Sequence, residues 1–211
     1  MKRNAKITTL FLDIGGVLLT DGWSRRDSQL AAKEFGLDLA ELNRRHGEAL
    51  GTYELGKLTF EEYLSRVVFY RRRPFTRAQF RKFMFGQTRP YPAMIGLVRR
   101  LKARYGLKIV VVNNEGGCLN EYRVRKFGLD DFVDSFITSC YVQLRKPDAD
   151  IFRVALETAQ VPADRVLYID NTPMYVEVAA GLGIRGLLHT DYRSTRAQLA
   201  SFGLVDNNKE K

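Results

Sequence analysis

Four short stretches carry residue types that can do chemistry together. In Leu10-Phe11-Leu12-Asp13-Ile14-Gly15-Gly16-Val17-Leu18, an apolar run over residues 7–12 ends abruptly in a carboxylate, and two glycines follow. The others are Ile109-Val110-Val111-Val112-Asn113-Asn114, Leu144-Arg145-Lys146-Pro147-Asp148 and Val166-Leu167-Tyr168-Ile169-Asp170-Asn171. An apolar strand that stops at an acid and then at glycine pushes that acid into a crevice and lets backbone approach a ligand. Two carboxylates delivered to one crevice repel each other, so the pair needs a cation or must hold a proton. Magnesium meets that need, because it is often bound by one or two carboxylates together with a substrate phosphate. Lys146 adds a point positive charge, and Asn113 and Asn114 add amide donors. The set suits a tetrahedral oxyanion, with one carboxylate left to attack phosphorus. Each residue also has a plainer reading. Asp13 can solvate a turn, Asp170 can cap the helix that Thr172 opens, Lys146 can be a solvated loop lysine, and Arg145 a surface or Asp-paired cation.

The chemistry therefore depends on whether the chain brings these stretches to one place. Strands are expected at residues 7–12, 108–112, 132–138, 165–169 and 186–188, with helices after Pro92 and over 119–127, 148–159, 172–181 and 194–202. Alternation of this kind implies a parallel sheet with helices on both faces. Ligands bind such sheets at the carboxyl ends of the strands, where Asp13, Asn113-Asn114 and Asp170-Asn171 all fall. Residues 23–90 differ: they show helical periodicity and no convincing strand. Helices are expected at 28–35, with Leu30 and Phe35 facing inward, and at 38–50, with Leu39 and Leu42 inward. Glu54 to Lys57 forms a turn. Thr59 with Glu62 and Thr76 with Gln79 then open two more helices as capping boxes. The expected organisation is a core from residues 1–22 and 91–211 with a four-helix insertion at 23–90.

Composition narrows the function classes. A 211-residue chain that is 45% hydrophobic has ample material for a core. No run approaches the roughly 18 apolar residues of a membrane span. Only two cysteines occur, Cys118 and Cys140, without a CxxC, so a reducing, cytoplasmic setting is expected and a zinc site is not. Two histidines, His46 and His189, give little support for a His-based triad, and His46 lies among Arg44, Arg45 and Glu48 on an expected helix surface. The net charge is +10, and residues 23–90 alone hold 14 basic against 8 acidic side chains. Such a lobe can steer anions, although solubility explains most of these charges. The basic residues lack an aromatic-interleaved single-strand pattern, so nucleic acid is not the expected partner. Oligomeric state is open between monomer and homodimer.

In this order and spacing, LFLDIGGVL, IVVVNN, LRKPDADIF and VLYIDN resemble the haloacid dehalogenase-like hydrolase superfamily, over roughly residues 7–188. More closely, the chain resembles its phosphatase subfamilies with a helical cap inserted after the first strand. The resemblance implies an α/β fold, a doubly wound Rossmann-like parallel sheet carrying an inserted helical cap. It also implies Mg2+ as cofactor and a small phosphorylated or anionic substrate. By position, Asp13 is the nucleophile and a metal ligand. Lys146 holds the phosphate with Asn113 and Asn114 and serves catalysis. Asp170 and the Gly15 carbonyl complete the metal set. The sequence departs from the family at three points. Gly15 stands where a second Asp acts as general acid/base, Asn113 replaces Ser or Thr, and Asn171 stands where a second Asp is common. A missing acid predicts faster turnover of aryl and acyl phosphates than of alkyl phosphates. Glu54, otherwise a plain exposed carboxylate, and Asp21, in the loop after the first strand, are the candidate stand-ins. Two other functions are open. A 2-haloacid dehalogenase also lacks the second Asp of the first motif, although it typically carries a small polar residue where Asp170 stands. A catalytically weak relative could serve as a binding or regulatory protein.

Overall fold

A computed structural model describes residues 5–207. The first strand, β1 (Thr9–Leu12), is followed by four helices, α1 (Arg25–Phe35), α2 (Leu39–Glu54), α3 (Phe60–Val67) and α4 (Arg77–Gly86). Helix α5 (Pro92–Tyr105) leads to β2 (Lys108–Asn113), α6 (Gly117–Phe127), β3 (Ser135–Thr138), the short α7 (Ser139–Val142) and α8 (Ala149–Ala159). The chain then runs through β4 (Val166–Asp170), α9 (Pro173–Gly181), β5 (Arg185–Leu188) and α10 (Tyr192–Ser201). All five strands are parallel, in the order β3-β2-β1-β4-β5. This is the doubly wound α/β sheet expected from the alternation.

Period-two alternation sends successive strand side chains to opposite layers. Leu10, Leu12, Ile109, Val111, Leu167 and Ile169 pack with Met94, Leu97, Val98 and Leu101 of α5. Phe11, Val110, Val112, Val166 and Tyr168 pack instead with Ile151, Phe152 and Ala155 of α8 and Ala179 of α9. Because β1 is central and pairs with β2 on one side and β4 on the other, Asp13 emerges between the ends of both neighbours.

Helices α1 to α4 share an apolar cluster of their own, built on Leu42, Tyr53, Phe60, Tyr63, Leu64, Phe80 and Met84 and extended by Leu119 of α6. Both expected capping boxes form: Thr59 with Glu62, and Thr76 with Gln79. A third opens α1, between Ser24 and Asp27. Two expectations fail here. Leu30 is 38% exposed, since Ser28 and Ala31 are the buried positions of α1. Helix α2 also runs on through Glu54, four residues past its expected end.

The chain leaves and re-enters the sheet through a narrow neck. The Ile14 carbonyl accepts hydrogen bonds from the amides of Leu18 and Leu19 at 3.0 and 2.9 Å, winding one turn. Gly16 sits in that turn at φ +72, against the side chain of Asn171. A β-carbon there would be strained by the dihedral and would collide with Asn171. Beyond the turn, Thr20 N donates to Arg89 O at 2.9 Å and Tyr91 N to Leu18 O at 2.9 Å, so outgoing and returning segments run antiparallel.

Candidate active site

The carboxyl ends of β1 and β4, with the loop before α8, converge on one ammonium group. Lys146 Nζ lies 3.0 Å from Asp13 Oδ1 and 2.7 Å from Asp170 Oδ2. Lys146 is 1% exposed and Asp170 fully buried, while the Asp13 side chain keeps 13% of its surface open. Asn114 fixes the lysine backbone: its Oδ1 accepts from Lys146 N and its Nδ2 donates to Lys146 O, both at 2.9 Å. Asn113 Nδ2 donates to Asn120 Oδ1 at 3.2 Å, and its Oδ1 accepts from Thr138 Oγ1 at 2.8 Å. Each amide nitrogen carries two hydrogens, so one N–H per asparagine is left for a ligand. Asn114 thus positions Lys146 as well as facing the cavity.

Asp170 is more heavily bonded than its place in the sequence implies. Tyr168 OH donates to Asp170 Oδ2, Lys146 Nζ donates to Tyr168 OH at 3.1 Å, and Thr172 N donates to Asp170 Oδ1 at 2.8 Å. The bond from Thr172 N turns the chain toward α9 without capping it, because Thr172 is itself the N-cap and no first-turn amide of α9 is held by a side chain. Sequence reasoning overlooked Tyr168 as a site residue. The available signal was its spacing, because residues two apart on a strand share a face.

Burial pushes the Asp13 carboxyl up to about 6; Lys146 opposes the shift and Asp170 reinforces it. Burial alone would depress the Lys146 ammonium, but Asp13 and Asp170 outweigh it and hold it above the ordinary lysine value. One ammonium faces two carboxylates, so the cluster keeps an excess of negative charge.

Above the cluster lies a cavity of about 370 Å³. Asp13, Gly15, Asn113, Asn114 and Lys146 line one wall, and Trp23, His46, Tyr53, Glu54 and Met84 from the four-helix segment line the other. Asp170 lies beneath this surface, and Asn171 reaches it instead. Three expectations are corrected here. Glu54 is not exposed: its side chain is 13% accessible and lies 2.7 Å from Arg145 Nη2. Arg145 is accordingly paired with a glutamate and not with an aspartate. Burial raises the Glu54 carboxyl to about 7, with Arg145 opposing. His46 is turned into the cavity wall, its Nδ1 2.7 Å from Tyr63 OH, and is not among surface charges. A second ion pair escaped the sequence: Glu115 accepts from Arg123 Nη1 at 2.5 Å, with Arg123 2% exposed. No short-range pattern marks a pair eight residues apart across a loop and a helix.

The donor set fits a hard divalent cation. The side chains offer only oxygen, from Asp13 at the cavity and Asp170 below, and the single Lys146 ammonium leaves negative charge uncompensated. Among the described residues no group of three or more His, Cys, Asp or Glu side chains is clustered for metal binding, so water would complete any such shell.

A family model described as haloacid dehalogenase-like hydrolase matches residues 7–183, and the chain belongs to that family. Among curated relatives, a phosphatase of Mycobacterium tuberculosis, MT3486, is 26% identical over 94% of this chain and 96% of its own length. The pyrimidine 5'-nucleotidase YjjG of Escherichia coli is 32% identical over 39% of this chain and 36% of its own. In fold, the magnesium complex of the HAD family enzyme bt-2542 from Bacteroides thetaiotaomicron superposes with a TM-score of 0.76 at 19% identity, covering 88% of this chain and 94% of that one. The L-2-haloacid dehalogenase of Xanthobacter autotrophicus gives 0.62 at 16% identity, covering 95% and 85%. The chain is thus a hydrolase of this family.

Proposed function

We propose that this hydrolase is a magnesium-dependent phosphatase of small phosphate esters that works through an aspartyl-phosphate on Asp13. The observation that carries the reading is the Asp13–Lys146–Asp170 cluster: one partly open carboxylate at a cavity floor, tied to a buried ammonium and backed by a second carboxylate. Asp13 attacks phosphorus. Lys146 and the remaining amide hydrogens of Asn113 and Asn114 hold the phosphoryl oxygens. Asp13, the Gly15 carbonyl and Asp170 would hold magnesium, which when bound offsets their charge and that of the phosphoryl group. Support comes from the relatives named phosphatase and nucleotidase, and from bt-2542 having been crystallised with magnesium and inorganic phosphate. We further infer that residues 23–90 act as a cap over a core of residues 1–22 and 91–211. Unpaired Cys118 and Cys140 fit a cytoplasmic setting.

The test is turnover of aryl phosphates, alkyl phosphates and 2-haloacids with and without magnesium. Magnesium-dependent phosphate release, abolished in Asp13→Asn with an unchanged circular dichroism spectrum, is the expected result. A beryllofluoride or phosphate adduct should map to Asp13 by mass spectrometry. Turnover of 2-haloacids alone, or of nothing, overturns the reading in favour of a dehalogenase or a binding protein.

A further inference from the structure

At Gly15 the family's usual carboxylate is missing, and the structure has another carboxylate in that space. A β-carbon built on Gly15 would lie 3.4 Å from Asp21 Oδ1, 3.6 Å from Asp21 Cα and 3.8 Å from Asp13 Oδ2. One point thus lies within 4 Å of both the Asp13 and the Asp21 carboxylates. Asp21 lines the same cavity as Asp13 and Lys146. It is also open to solvent.

The position of Asp21 is built, not incidental. Thr20 is bonded to Arg89 twice, by N to Arg89 O at 2.9 Å and by Oγ1 from Arg89 N at 3.0 Å. Thr20 O accepts from Arg123 Nη2. On the far side, a β-carbon on Gly22 would lie 2.5 Å from Glu115 Oε2, so residue 22 is pressed against the buried Glu115–Arg123 pair. The backbone on both sides of Asp21 is therefore fixed by buried or paired groups. This gives the Glu115–Arg123 pair a purpose that the cluster around Lys146 does not.

We propose that Asp21 carries the acid/base function that Gly15 cannot, a proposal that rests on the phosphatase reading of Asp13. In the first step a carboxylate oxygen of Asp13 bonds to phosphorus. The bond from phosphorus to the ester oxygen breaks, its electron pair leaves with that oxygen, and the oxygen takes the proton of the Asp21 carboxyl group. The products are an alcohol, the acyl phosphate on Asp13 and the Asp21 carboxylate. In the second step the Asp21 carboxylate takes a proton from water as the water oxygen bonds to phosphorus. The bond to Asp13 breaks with its pair returning to the Asp13 carboxylate, which frees phosphate and reprotonates Asp21. The cavity's remaining carboxylates, Glu54 and Glu115, are engaged by Arg145 and Arg123, and neither is among the atoms nearest the vacant Gly15 position.

The decisive measurements are pre-steady-state rates on 4-nitrophenyl phosphate and on an alkyl phosphate, for the wild-type protein with magnesium, Asp21→Asn, Glu54→Gln and the exchange Gly15→Asp/Asp21→Gly. Positioned acid-base groups contribute about 10²–10⁴-fold. Asp21→Asn should lose that factor on the alkyl ester. On the aryl ester it should release a burst of nitrophenolate, which needs no proton to leave, and then turn over slowly for want of a base. The exchange variant should recover alkyl turnover. An active wild type together with alkyl rates in Asp21→Asn within a few-fold of it overturns the assignment alone, as does the same burst signature appearing in Glu54→Gln instead. A wild type with no phosphatase activity overturns the phosphatase reading, and this proposal with it.

Discussion

At the scale of single residues, Tyr168 and Glu54 hold the least expected positions. Tyr168 gives its hydroxyl hydrogen to Asp170 and accepts one from Lys146, so it joins the buried acid to the buried base. Tyr168→Phe leaves both partners short of one bond, which costs about 1–3 kcal/mol for buried polar groups. Urea denaturation should register that loss without a change in secondary structure. Glu54 titrates ordinarily near 4.5 and in the fold near 7, chiefly through burial. Between those values the folded chain binds more protons than the unfolded one, so stability falls as pH rises from about 4.5 to about 7. Glu54→Gln should flatten the melting temperature against pH in that window and gain on the order of 3 kcal/mol at pH 8. An unchanged slope would place the titrating burden elsewhere. Tyr168 was not legible beforehand, and Glu54 was legible as a possible neighbour of the site but not as a buried, paired acid. A tyrosine in a buried strand looks like packing, and an acid in an expected turn looks solvated until something long-range covers it. Asp13 and Asp170 were legible, because each ends or follows an apolar strand whose topology allows few destinations, and Lys146 was legible through the motif that places it in the loop before a helix.

At the scale of elements, the covering of Glu54 is the docking of the end of α2 onto α7 and the loop before α8. Ser139 Oγ donates to the Glu54 carbonyl at 2.6 Å, and the backbone of Gly56 lies against Cys140 at φ +70, where any β-carbon would strike the Cys140 carbonyl. These contacts and the Glu54–Arg145 pair join the packing of Leu119 and Tyr122 in holding the four-helix segment to the core side of the cavity. If that segment acts as a cap, Ser139→Ala should loosen closure. Hydrogen exchange over residues 50–58 should quicken, and KM should rise more than kcat falls. The strand and helix order was readable from alternation and capping boxes. The short α7 was not, since a single helical turn leaves no periodicity. It matters nonetheless, because it supplies Ser139 and Cys140 to this contact.

At the scale of the whole molecule, the +10 net charge is partly organised. Arg45, Arg71 and Arg73 gather around the ring of Tyr70 at 3.5, 5.5 and 5.0 Å from its centroid, on the four-helix segment. Such a patch should speed capture of dianionic esters, so kcat/KM should fall as salt rises. Neutralising Arg71–Arg73 should flatten that profile; equal slopes would leave these charges to solubility. A different consequence follows from the central place of β1. Thr9 pairs with Lys108 on one side and Val166 on the other, so the first strand to be synthesised has no neighbour until much later. At about 5–20 residues per second, a ribosome needs on the order of ten seconds to deliver β4. During that interval an apolar strand ending in an unaccompanied acid travels with the nascent chain. The Asp13–Lys146–Asp170 cluster is thus complete only once β4 has emerged, and products truncated before Lys146 carry Asp13 without the lysine that pairs with it.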